Sequence, residues 1–176
     1  MSSVRIEVVH TFDQCLIESL ATLEEKTYPP RMRVENMDEY YRECLEDTAN
    51  INVVMYDDDE LIGYVVSIPH DVAYEALREY DPEMKRDPKR FYTDTIQTLP
   101  GKRKPLGILK MLYVMSEEAG RRGINKFSMH ARTTNGLSRM IQRVFETARV
   151  LRTIENWYGY GEPFDYIEGE YHGRRR

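Results

Sequence analysis

Between Gly101 and Gly107 the chain carries Lys102, Arg103 and Lys104, then Pro105 and Leu106, and an apolar helical pattern begins at once. The first backbone amides of a helix have no intrahelical partner, and its N-terminus carries partial positive charge. Glycine at 107 lets a ligand approach that backbone, and three side-chain cations add full charge. Together these suit a phosphate or pyrophosphate, although an ordinary solvated basic loop has the same composition. Two common phosphate motifs are excluded by spacing. Five residues separate Gly101 from Gly107, and Ile108-Leu109 stand where a Walker A loop has Lys-Ser/Thr. No G-x-G-x-x-G occurs, and the loop follows four expected strands instead of opening the domain.

The elements that position this loop are legible from periodicity. Alternation over 4–10 predicts a first strand, and Phe12, Leu16, Leu20 and Leu23 recur at helical spacing until Pro29-Pro30 interrupt. A second helix is expected over 36–48, with Asn36 as its N-cap. "INVVMY" and "LIGYVVSIP" flank "DDDE" as a hairpin. Residues 71–90 are charged and contain Pro82 and Pro88, so they predict a short helix, restricted turns and a mobile arm. A strand over 91–99 leads into the basic loop. The helix from Gly107 presents Ile108, Met111, Leu112, Met115 and Ala119 on one face and stops at Gly123. A strand over 124–131 is followed by "TTN" as the cap of a helix whose stripe is Leu137, Met140, Ile141, Val144, Phe145 and Ala148. Two strands joined at "GYG" close the chain. The order predicts one mixed α/β domain over 1–176, with hairpin and crossover connections.

Composition narrows the function classes. With 176 residues and a formal net charge of −5, a general nucleic-acid binder is not expected. Cys15 and Cys44 read as buried free thiols in a reducing compartment. The four histidines are scattered, and Asp57-Asp58-Asp59 lacks the glycine and distal glutamate of a calcium loop, so no metal is expected. No apolar run reaches membrane-span length and no secretory leader is visible, which points to a cytoplasmic protein without a membrane partner.

Three stretches carry a resemblance. Lys102-Arg103-Lys104-Pro105-Leu106-Gly107 is similar to the Q/R-x-x-G-x-G/A signature of the GNAT superfamily of acetyl-CoA-dependent N-acetyltransferases, with Lys102 for Gln/Arg and Pro105 for the first glycine. Asn135 follows the fifth strand, where that family often has an Asn contacting CoA. "NWYGYGEP" resembles the family's hairpin near the C-terminus, with Trp157, Tyr158, Gly161 and Glu162 in register. The resemblance implies a twisted mixed sheet of about seven strands flanked by about four helices, with 71–90 as a charged insert between strands three and four.

It also implies acetyl-CoA as co-substrate, held by Lys102, Arg103, Lys104, Leu106, Gly107, Ile108 and Asn135, with the backbone around Thr98 polarising the carbonyl. An amine acceptor would attack directly. Asp94 matches the family's fourth-strand carboxylate as general base. The usual helix tyrosine is replaced by Gln142, so Tyr158 becomes the candidate donor of the thiolate's proton. Glu24, Glu25, Asp38 and Glu39 would favour a cationic amine. A catalytically idle acyl-CoA-binding regulatory domain is the alternative, and a homodimer is left open.

Overall fold

The computed structural model describes residues 4–102 and 106–171; Arg103, Lys104, Pro105 and the basic tail lie outside the described residues. Seven strands are β1 (Val4–Val8), β2 (Ile51–Asp57), β3 (Glu60–Pro69), β4 (Arg90–Thr98), β5 (Lys126–Arg132), β6 (Arg149–Ile154) and β7 (Phe164–Glu170). Five helices are α1 (Gln14–Thr27), α2 (Met37–Glu46), α3 (His70–Leu77), α4 (Gly107–Arg121) and α5 (Leu137–Val144). The strands form one mixed sheet in the order β1-β2-β3-β4-β5-β7-β6, with β4 and β5 parallel. The expected seven strands are therefore present; beyond the about four helices that the resemblance implies, α3 is the short helix expected within 71–90. No described helix is long and apolar enough to cross a membrane.

The chain folds as two compact units, Met1–Ser67 with Thr95–Glu118 and Ile68–Asp94 with Ala119–Arg176, and β3, β4 and α4 run from one to the other. In the first unit, Asp13 caps α1 by accepting the Leu16 amide at 2.9 Å, and Ile17, Leu20 and Leu23 face the core. Cys15 lies off that stripe and is exposed, so of the two thiols expected to be buried only Cys44 is. Glu24 is 2% exposed, not a solvated acceptor-side charge. It accepts the Val34 amide at 2.8 Å and the Tyr41 hydroxyl, which in turn accepts from Gln97 Nε2 at 2.8 Å. Burial, then the Glu24 charge, raise the Tyr41 phenol far above its ordinary range, so it holds its proton for that bond. Asn36 precedes α2 as expected, but its side chain makes no capping bond.

In the second unit, Ala73, Leu77, Met84, Tyr92, Trp157 and Tyr166 form a buried cluster. Three of these residues, Ala73, Leu77 and Met84, come from 71–90, which the charge pattern assigned to a mobile surface arm. Helix α3 and its return loop instead pack on the core through these three side chains and the buried Asp81, while most of the other residues of the segment are exposed. Val144, placed on the apolar stripe of α5 by periodicity, is 38% exposed, since the helix ends there and Phe145 turns in. The N-cap of α5 is left-handed Gly136, and Asn135, expected within the cap, lies one residue earlier, where its Oδ1 accepts the Leu137 amide at 3.0 Å. Strand β6 stops at Ile154, short of the expected end, because Trp157–Gly159 wind into a 3-10 turn.

Two strand glycines differ in what a side chain would meet. A Cβ at Gly63 would sit 2.8 Å from Met55 Cε and 3.0 Å from Met111 Cε, both flexible tips. At Gly169 it would sit 2.7 Å from the Phe127 ring and 3.1 Å from the Ala148 backbone. Gly169→Ala is expected to cost about 1–3 kcal/mol by overpacking, and Gly63→Ala less. Urea unfolding midpoints of the two variants check the order.

Candidate active site

The basic loop belongs to the first unit. Lys102 is exposed, and its Nζ pairs with Glu60 Oε2 at 2.5 Å. Leu106 is 61% exposed at φ 73°, a left-handed conformation that is costly for a branched side chain. Its carbonyl accepts the first helical bond of α4, from the Lys110 amide at 2.9 Å. The amides of Gly107, Ile108 and Leu109 thus stand in the opening turn with no acceptor inside the helix. Gly107 is buried and Ile108 half-buried. A cavity of about 380 Å³ in the same unit is lined by Cys15, Glu18, Lys26, Asp59 and Glu60 among others. Three carboxylates in that lining suit it poorly to a phosphate.

Strand β4 carries Asp94 and Thr98, exposed and buried respectively. The parallel ladder with β5 covers Arg90↔Lys126 to Tyr92↔Ser128, and β4 continues beyond it to Thr98. Tyr92 and Asp94 are two apart, so they share a face of the strand.

The second unit brings Asp94 and Tyr158 into electrostatic reach. Burial, then the Asp94 charge, then Tyr80 and Tyr160, raise the Tyr158 phenol above its ordinary value. The pair therefore offers a proton acceptor beside a phenol held protonated, a division of acid and base roles set by environment. Tyr158 itself sits at φ 51°, and Gly159 and Gly161 at 74° and 70° let the chain turn away on its far side. The strained backbone presents the ring, which stacks on Tyr80 at 4.0 Å and on Tyr160 at 5.7 Å. Glu162 is engaged by the Arg132 guanidinium through both carboxylate oxygens, which ties the end of this hairpin to β5. Asn135 is exposed beyond β5. Gln142 is exposed on α5 and donates back to the Ser138 carbonyl at 3.3 Å.

Behind these residues lies a buried network that periodicity did not find. Asp81, 2% exposed, receives the Arg152 guanidinium on both oxygens and His130 Nε2 at 3.0 Å. Burial alone would push the Asp81 carboxyl up; the His130 and Arg152 hydrogen bonds outweigh it and hold it down to about 2. With Asp81 ionised, His130 Nε2 must donate, so Nδ1 accepts from the Tyr92 hydroxyl at 2.9 Å. The imidazole stacks on Trp157 at 3.8 Å, and the Arg152 guanidinium lies over the Tyr166 ring at 4.1 Å. A register shift between Val150 and Arg152 sets Arg152 opposite Tyr166 and leaves Leu151 exposed. The signals available in sequence were weak: a lone Asp before Pro82, and an Arg in a strand.

No family model and no curated protein matches the sequence. Solved structures do match its fold. An aminoglycoside 6'-N-acetyltransferase complexed with coenzyme A aligns at TM-score 0.72 and 14% identity, over 98% of this chain and 99% of that one. The ribosomal-protein-S18-alanine N-acetyltransferase from Escherichia coli aligns at 0.70 and 8%, over 99% of each chain. Arabidopsis thaliana Naa50 in complex with the bisubstrate analogue CoA-Ac-MVNAL aligns at 0.65 and 16%, over 94% and 97%. The chain has the fold of the GNAT acetyltransferases.

The Asp81 network sets a pH dependence of stability. Asp81 is depressed in the fold, so its contribution is present above about 3.9 and is lost as pH falls toward its folded value. Burial outweighs the opposing Asp81 bond and lowers His130 below its usual range. The unfolded chain therefore takes up a proton there below about 6.5 that the folded chain resists. Both effects run the same way: stability falls on acidification. Arg152→Met, which strands one side of the buried carboxylate, is expected to cost about 3–5 kcal/mol. Denaturant unfolding at several pH values checks both.

Proposed function

We propose that this chain is an N-acetyltransferase that moves an acetyl group from acetyl-CoA to a primary amine by direct attack. The observation that carries the reading is the near-full-length fold match to acetyltransferases solved with coenzyme A, in a chain whose basic loop runs into α4. Lys102, Arg103 and Lys104 with the opening amides of α4 fit a pyrophosphate, and the backbone of β4 around Thr98 would hold the thioester carbonyl. On ligand binding, Lys102 exchanges Glu60 for phosphate. Asn135, exposed at the start of α5, supplies a further polar contact.

The acceptor nitrogen must lose a proton before it attacks, because alkyl ammonium groups have pKa values near about 10. Asp94 accepts that proton, directly or through one water. The nitrogen then bonds to the acetyl carbon as the carbon–sulfur bond breaks, and the departing thiolate takes the proton of Tyr158. The raised phenol keeps that proton at neutral pH and meets the developing thiolate as a hydrogen-bond donor.

A second reading, an acyl-CoA-binding domain without turnover, draws on Gln142 at the position where the family resemblance expects tyrosine. A screen of amines and peptides with acetyl-CoA, reading released thiol, decides between them: thiol release that depends on an amine supports transfer, and binding of CoA without it supports the second reading.

Asp94→Asn is expected to lower kcat by about 10²–10⁴-fold, with activity partly restored at alkaline pH where the acceptor is already deprotonated. Activity equal to the parent at neutral pH would remove Asp94 from the base role. Changing Lys102, Arg103 and Lys104 together to alanine should weaken CoA binding by about 1–3 kcal/mol at low salt. Calorimetric titration measures it.

A further inference from the structure

Tyr80, Tyr158 and Tyr160 form a row of rings on the surface of the second unit. Tyr80 is 46% exposed and Tyr158 38% exposed, unusual values for large aromatic side chains. The row is held from behind. Trp157 is buried and meets Tyr158 edge-on at 5.0 Å and Tyr80 at 6.3 Å, while His130 covers the other part of the indole. Tyr80 hangs from the turn after α3, where its amide bonds to the Leu77 carbonyl at 2.9 Å, one residue before the buried Asp81. The rings are thus fixed by the core on one side and open on the other.

Their chemistry selects a class of ligand. Tyr80 and Tyr158 already stack at 4.0 Å, so no flat ligand can enter between them. What they offer is electron-rich ring surface and phenol oxygens. Asp94, Tyr80 and Tyr160 each act electrostatically on the Tyr158 hydroxyl, so the row lies in a region of negative potential. A carboxylate repels an anion. A primary ammonium has a charge that exposed ring faces attract and N–H donors that a phenol oxygen accepts.

We propose that the rings of Tyr80 and Tyr160, each stacked on Tyr158, form a subsite for a second, non-reacting ammonium group of the acceptor, so that the acceptor is a diamine or longer polyamine whose other nitrogen is left to Asp94, with the Tyr158 hydroxyl left to the thiolate. The inference rests on the acetyltransferase reading for the fate of that other nitrogen, but ammonium binding itself needs no acetyl-CoA. The segment 70–89 acts as the fixed wall that supplies Tyr80, not as a mobile arm.

The test is calorimetric titration of the full chain at low salt with cadaverine and with aminopentanol, its analogue of equal length and one charge, without acetyl-CoA. Cadaverine should bind saturably and at least about fivefold more tightly than aminopentanol. Tyr80→Ala and Tyr160→Ala should each weaken cadaverine by about fivefold to thirtyfold, with CoA affinity unchanged. Tyr80→Phe, which keeps the ring and the packing, should lose less and guards against a misfolded alanine variant. Equal binding of the two amines, no cadaverine binding, or alanine variants of parental melting temperature that bind as the parent does would each overturn the subsite. Cadaverine binding that follows this pattern in a chain that releases no thiol leaves the subsite standing and removes the acetyltransferase reading. Thiol release that is indifferent to the second charge does the reverse.

Discussion

Much of the second unit depends on one buried carboxylate. Asp81 is taken out of water in a loop whose neighbours in sequence are polar, and an unpaired charge there would cost several kcal/mol. Arg152 from β6 and His130 from β5 satisfy it, so the loop, two strands and the Trp157 turn are held through one set of hydrogen bonds and stacked rings. The geometry of the surface follows from that arrangement. Tyr80 is adjacent to Asp81 in sequence, and Trp157 to Tyr158, so fixing the buried pair fixes the exposed pair.

The same network reaches the strand of the candidate base. His130 receives the Tyr92 hydroxyl, and Tyr92 shares a strand face with Asp94. None of these buried groups needs to touch substrate. Their effect is to keep one stretch of β4 and one strained turn in a single conformation, which is what a proton acceptor and a proton donor require of their scaffold. The left-handed Tyr158 illustrates the constraint: a backbone cost of order 1–3 kcal/mol persists only where packing over-determines it.

The first unit solves a comparable problem with neutral partners added to a charge. Glu24 lies in the core because Tyr41 and the Val34 amide meet it, and Gln97 of β4 completes the chain of bonds. Lys102 is a different case. It is exposed and paired with Glu60 at the surface, where ion pairs contribute little and exchange readily. That lability suits a residue proposed to take a phosphate.

The sequence by itself determined the seven strands, the five helices including the short one in 71–90, the basic loop ahead of α4, the place of Asp94 on β4 and that of Tyr158 in the hairpin between β6 and β7. Local signals suffice there: period two, period 3.6, glycine at a left-handed position, cations before a helix. Only the tertiary structure decided that 71–90 packs on the core through Ala73, Leu77 and Met84, that Glu24 is buried, that Leu151 and Val144 face outward, and that Asp81, His130 and Arg152 meet. Each of these turns on a partner distant along the chain. A charged residue reads as solvated until an opposite charge arrives from another strand, and a one-residue register shift reverses the face of a side chain without leaving a mark in the local pattern.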